Sequence, residues 1–493
     1  MSGPGGNMGL LSDRQIDIIA SRLAERLGAP PAEIAESRTS PGAPAATPRE
    51  VLGEGVFATV DDAVEAAGVA FREFDGMTLE GRQKIVESIR KSMFENAESL
   101  ARHAHEETGL GRVEHKIIKN RLVTRKTSGP EVLTPHALTG DNGLTLTEYA
   151  PYGVIGAITP TTNPTSTIIC NTIAMVSAGN AIVFNVHPNA RECSMANVRL
   201  LHRAIVDAGG PANLVTTVAN PTIESAQALM QHDGIRLLAV TGGSGVVRQA
   251  MTSGKRAICA GPGNPPVVVD TTADLDHAAK CIVAGASFDN NIVCTDEKEV
   301  IAVASVVDEL LRQMSRHGAR VLTDAELRKV ESTIFSEQRG PRKPAVVNKD
   351  LIGKNASEIL ARAGITSHGD PPLLVARVPN EHPLVWTEQM MPVLPVTAVS
   401  GVDRGIELAK EAEHGFGHSA GMHSRDIDAL SRMARTINTS IFTKNGAFFA
   451  GLGEGGEGHA SFTIASPTGE GLTGPVAFSR LRRCVMVDHF RIV

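Results

Sequence analysis

A cysteine among ionisable and amide side chains is the place to look for covalent chemistry, and "FDNNIVCTDEKEV" (288–300) sets Cys294 in such surroundings. Structural cysteines usually sit in apolar runs. A nucleophile must reach the thiolate state, which apolar burial opposes and polar surroundings favour. The polar loop therefore predicts an exposed, reactive thiol at Cys294. Cys170 and Cys281 fall inside helical stretches and read as packing residues. Six cysteines scattered over 493 residues form no CxxC pair. That excludes a disulfide framework, offers no zinc spacing and implies a reduced, cytosol-like compartment.

A second signal is "IRLLAVTGGSGVVRQAM" (235–251), a strand running through a glycine turn into a helix. Amides at a helix N-terminus hold anions such as a nucleotide phosphate. The G-x-G-x-x-G pattern fails at its last position, where Arg248 stands, so a ligand-free tight turn stays open as the alternative.

Alternating elements must position these residues. "VDDAVEAAGVAFREF" and "RQKIVESIRKSMFENAESLARHAHEET" have helical patterning, and "GVIGAIT" (153–159) and "NAIVFNV" (180–186) read as buried strands. "SMANVRLLHRAIVDAG" is a helix closed by glycine. Beyond Pro265 a second unit begins, with "VVVD" (267–270) a strand and "ADLDHAAKCIVAGASF" a helix that buries Leu275, Ala278, Ala279, Ile282 and Ala286. The order is that of an α/β fold. At this length two or three domains are expected.

Four stretches in this order, "TPTTNPTS" (159–166), "TGGSGVVRQA" (241–250), the Cys294 loop and "EQMMPVLPV" (388–396), resemble the aldehyde dehydrogenase superfamily over roughly residues 50–493. The resemblance implies a Rossmann-type cofactor domain (50–138 and 151–263), an α/β catalytic domain (264–464) and a β oligomerisation arm (139–150 and 465–493), giving dimers or tetramers. It implies that Cys294 attacks an aldehyde, and that the Asn163 amide and the Cys294 N–H hold the oxyanion. Pro164 would open a helix and fix Asn163 as a cap-like residue. Thr161, His187, Pro188, Thr241, Gly243, Ser244 and Pro392 are assigned by it to the NAD site, and Glu388 to the nicotinamide ribose.

The departures narrow this reading. Hydrolytic members carry a water-activating glutamate in E-L-G-G-K; here the segment is "AGPGNPP", with Ala260 at the glutamate's place and Asn264 at the lysine's. Without that base the acyl thioester needs a better nucleophile than water, and coenzyme A is the obvious one. "FNVHPNA", with His187 in place of a lysine, and "EHGFGHSAGMHS" also look like the CoA-acylating branch, in particular the propanediol- and ethanolamine-utilisation enzymes that act on propionaldehyde and acetaldehyde in bacterial microcompartments. Rivals are a hydrolytic dehydrogenase, a non-redox cysteine acyltransferase and a non-enzymatic scaffold. His414 and His418 read as ordinary loop histidines and Trp386 as packing support.

Residues 10–28, "LLSDRQIDIIASRLAERLG", read as a helix, with Ser12 and Gln15 as a capping box and Ile16, Ile19, Ala20, Leu23 and Leu27 as one apolar stripe. An Ala/Pro-rich linker (29–49) follows. The stripe either folds back on its own domain or docks into a groove; the resemblance favours docking to a microcompartment shell protein, which places the enzyme in the lumen. A net charge of −6 argues against nucleic acid. No apolar run is long enough to span a membrane and no secretory signal is present.

Overall fold

The computed structural model describes residues 51–488 and 490–492. The expected N-terminal helix and linker lie outside the described residues.

The first sheet runs, edge to edge, Val51–Gly53, Val56–Phe57, Val215–Val218, Ala181–Asn185, Val154–Ile158, Ile235–Thr241 and Ala257–Ala260. Apart from the opening hairpin its strands are parallel. Val154–Ile158 and Ala181–Asn185 are buried at every position, as expected where helices cover both faces. From Val154–Ile158 the chain first builds the sheet outward through Ala181–Asn185 and then returns to add Ile235–Thr241 on the other flank. Such a reversal leaves a crevice at the carboxyl ends of the two strands.

The second sheet is parallel throughout, in the order Arg320–Val321, Leu374–Val378, Val393–Val399, Glu299–Val303, Pro266–Val269, Ser419–His423, Ile441–Lys444. Its side chains alternate between two cores. Val267, Val269, Val300, Ala302 and Val375 enter one, while Val268, Ile301, Leu374 and Ala376 enter the other. The period of two along a strand puts successive residues on opposite faces.

The arm is a three-stranded antiparallel sheet of His136–Gly140, Gly143–Pro151 and Ser479–Val487, in register from Ser479 opposite Pro151 to Val487 opposite Gly143. The chain between the second sheet and this last strand returns to the first core, where Leu452, Ala460, Phe462, Ile464, Ala465 and Phe478 pack. The helix Pro164–Ser177 is buried on all sides, which accounts for its apolar composition and for Cys170 as a core residue.

Candidate active site

At the strand reversal lies a cavity of about 640 Å³. Of the residues singled out from the sequence, Thr161, Asn163, His187, Pro188, Thr241, Gly243, Cys294 and Glu388 line it. Ser244 and Pro392 do not. Ser244 is the exposed first residue of the helix Ser244–Met251, whose cap is Gly243. Pro392 is buried ahead of Val393–Val399, and its carbonyl accepts the Leu374 amide at 2.9 Å, so it closes the sheet and does not face the cavity.

The Cys294 loop overturns one expectation. It is polar, yet Asp289, Asn290, Asn291, Thr295, Asp296, Glu297, Lys298 and Glu299 are all buried. Its polarity is internal wiring. Asp289, Asn290 and Asn291 take φ of 45°, 56° and 66°, three consecutive residues in the left-handed region. Asn and Asp tolerate it far better than other side chains. Each then bonds outward. Asn290 donates to the Gly353 carbonyl and to Asn355 Oδ1, both at 2.8 Å; Asn291 donates to the carbonyls of Ala286 at 2.9 Å and Glu297 at 3.0 Å. Lys298 Nζ lies beneath the turn, donating to Asn291 O at 2.7 Å, Asn291 Oδ1 at 2.8 Å and Val293 O at 3.1 Å.

Cys294 itself is partly exposed to the cavity. Burial of its sulfur, reinforced by the nearby Glu388 charge, pushes the thiol up to about 12, against the pull of Lys298. At rest it is a neutral thiol. Glu388 is itself pushed up to about 7 by burial, opposed by Lys298 and by the Gly263 amide that it accepts. Gly263 sits tightly between: a Cβ there would lie 2.9 Å from the Cys294 carbonyl and 3.0 Å from the His418 ring.

Asn163 is the N-cap of Pro164–Ser177, as its proline predicts, but its side chain makes no capping bond. Its Oδ1 instead accepts from Lys119 Nζ at 2.6 Å, and its Nδ2 lies 3.2 Å from Thr162 Oγ1. Lys119 and Lys116 are buried and share the carboxylate of Asp289, whose other oxygen accepts the Arg112 amide at 2.6 Å. Burial alone would raise the Asp289 pKa, but the two lysines outweigh it and hold it down to about 2. Sequence reasoning missed Lys116, Lys119, Asp289 and Lys298 as site residues. The signal was the polar stripe Lys116, Lys119, Asn120 on a helix that buries it.

Ala260 lines the cavity where a carboxylate would stand, and Asn264 is withdrawn, clamping the Val385 and Ala412 carbonyls at 3.1 and 2.9 Å. Among the described residues lining the cavity, the only titratable side chains are His187, Cys294 and Glu388. Burial lowers the pKa of His187, which caps a short turn, accepting the Asn189 amide at 3.1 Å. Gly242, Gly243 and Gly245 border the cavity with the Ser244–Met251 helix opening behind them, and Gly243 and Gly245 have open space where a Cβ would stand. That leaves unsatisfied amides of the first helical turn beside the cavity, a fit for a pyrophosphate. Neither His414 nor His418 lines it. His414 donates to the Trp386 carbonyl at 2.9 Å, and His418 is buried behind Gly263. Cys281 is half-buried, 3.5 Å from His277.

Residues 57–461 match the profile of the aldehyde dehydrogenase family. The chain belongs to this family. It is 49% identical to the acetaldehyde dehydrogenase (acetylating) EutE of Salmonella typhimurium, over 91% of this chain and 95% of that protein. Among solved structures it is similar to the Rhodopseudomonas palustris propionaldehyde dehydrogenase with bound propionyl-CoA, at 48% identity and TM-score 0.86 over 88% of this chain and 96% of that one. It is similar also to a propionaldehyde dehydrogenase from the Clostridium phytofermentans fucose utilisation bacterial microcompartment, at 44% identity and TM-score 0.86 over 89% and 100%.

Proposed function

We propose that this aldehyde dehydrogenase oxidises a short aldehyde, propionaldehyde or acetaldehyde, with NAD and passes the acyl group to coenzyme A. The observation that carries the reading is the wall around Cys294, which offers a thiol and an amide but no glutamate at residue 260 to activate water. The names of the relatives, acetylating and propionyl-CoA-bound, support it.

The residues divide the work as follows. The Cys294 thiol gives up its proton to water, its sulfur bonds to the aldehyde carbon, and the carbonyl π pair moves onto oxygen, where the Asn163 amide and the Cys294 N–H stabilise it. Such preorganised donors are worth a few kcal/mol each. Gly242, Gly243 and Gly245 would hold the pyrophosphate of NAD and Glu388 its nicotinamide ribose, and NAD would supply the hydride acceptor. An acyl thioester on Cys294 is left; the CoA thiol loses its proton as its sulfur attacks at the same oxyanion site, and the released Cys294 sulfur takes up a proton to restore the thiol. Thr161, His187, Pro188, Thr241 and Gly243 shape the remaining wall. In the test, aldehyde and NAD without CoA yield one equivalent of NADH per Cys294 and then stop, and CoA restores turnover with acyl-CoA as product. Sustained turnover to free acid without CoA would overturn the reading, and acyl exchange that needs no NAD would replace it with a transferase.

The Clostridium phytofermentans relative, which is from a microcompartment, supports a microcompartment setting for this chain. We propose further that residues 10–28 dock to a shell protein in the lumen and that the exposed apolar residues Leu138, Leu481, Val485 and Val487 of the arm are buried in a homodimer or homotetramer. Deleting residues 1–30 is expected to leave activity in solution and abolish encapsulation; normal encapsulation of the truncated chain would exclude this role.

A further inference from the structure

We propose that Lys119 is a positioning residue that works through Asn163, fixing and polarising the amide that holds the oxyanion. The inference rests on the reading of Cys294 as nucleophile and adds a residue to it. An asparagine amide presents an acceptor at one end and donors at the other, and only the donor end can stabilise an oxyanion. Nothing in the capping position chooses between them, because the Asn163 side chain makes no capping bond. Lys119 chooses. Its ammonium carries only donors, so the group 2.6 Å away must be the amide oxygen, and the NH2 is forced to the other side, by Thr162 Oγ1 and the cavity.

The hydrogen bond also carries charge. A cation on the amide oxygen draws electron density from the nitrogen, so its N–H bonds become stronger donors, as in any cooperative chain inside a low-dielectric interior. Lys119 is held there by Asp289, which Lys116 shares, and a Cβ on Gly111 would strike the Asp289 carboxylate, so the group cannot drift. The stated charge is therefore built into the scaffold, one hydrogen bond behind the reacting oxygen.

The test is the carbonyl stretch of the acyl thioester on Cys294, formed with 13C-labelled aldehyde and NAD in the absence of CoA, together with single-turnover rates. A strong oxyanion donor lowers that frequency. Lys119→Met is expected to raise it to the value seen in Asn163→Ala and to slow thioester formation about ten- to a hundredfold. The NAD affinity should not change. Adding Lys119→Met to Asn163→Ala should slow the reaction less than twofold further, because the amide is already gone. A full second loss in the double variant, or an unchanged frequency in the single one, overturns the proposal. Failure to form any acyl-enzyme in the wild type, or its formation in Cys294→Ser, would instead sink the underlying reading.

Should Lys119→Met not fold, the wild type supplies the second measurement. Burial, offset by Asp289, brings Lys119 down to about 8. The groups facing it are Lys116 and His115 from its own helix, Asp289 and Asp296 from the Cys294 loop, and the neutral Asn163. Between pH 7 and 9.5 the frequency should rise as the ammonium is lost. A flat frequency across that range overturns the proposal.

Discussion

At the scale of single residues the chemistry is decided by what stands opposite Cys294. Its thiol is pushed up to about 12 by burial and the Glu388 charge, which favours the protonated form at neutral pH. Alkylation by iodoacetamide should therefore climb steadily with pH and show no plateau below about pH 10; a plateau near pH 8 would mean that the resting thiol is far more acidic than its buried site allows. On the proposed function, Ala260 governs the fate of the thioester. With its side chain on the cavity wall, Ala260→Glu puts a carboxylate where none exists to activate water. CoA-independent NADH turnover should rise at least about tenfold in this variant. A variant that still gives its first equivalent of NADH yet gains no turnover would show that the missing base is not what protects the acyl-enzyme from hydrolysis.

At the scale of elements the site is a joint between the helix Val113–Lys126, the start of Pro164–Ser177 and the loop before Glu299–Val303. Asp289 is the pin. Its pKa is lowered from the ordinary 3.8 to about 2, so its contribution is complete above pH 4 and is lost as the pH falls toward 2. Asp289→Asn leaves two buried ammonium groups without a counter-charge, and removing one partner of a buried pair costs about 3–5 kcal/mol. Urea unfolding at pH 7 should show that loss, and the gap to the wild type should narrow between pH 4 and 2. A gap independent of pH would mean that Asp289 acts by shape alone. Strands and helices were legible because local periodicity encodes them, and the resemblance of four short stretches singled out Cys294, Asn163 and Glu388, which line one cavity. The joint was not. Lys119 meets Asp289 across 170 residues of sequence, and no local pattern reports such a contact. The polar loop misled for the same reason, since "DNN" looks like solvent-exposed chain until its left-handed turns and its buried partners are seen together.

At the scale of the molecule, loops at the ends of the two sheets and the returning segment around Leu452–Ile464 line one cavity that reaches Cys294. The glycine turn at one side and Cys294 at the other border the same space, and that space must receive both the dinucleotide and the CoA thiol. A nicotinamide close enough to take the hydride from the thiohemiacetal carbon on Cys294 would fill the space through which the CoA sulfur would attack the thioester. The two cannot stand there together. On this reading NADH would withdraw before CoA reaches the acyl group, and the cycle is expected to be a double displacement with the acyl-enzyme as its midpoint. Initial rates at several CoA concentrations should give parallel lines in double-reciprocal plots against aldehyde, and high CoA should inhibit by competing with NAD for the free enzyme. Intersecting lines would require a ternary complex in which CoA reaches Cys294 while the dinucleotide is still bound, and would overturn this order of events.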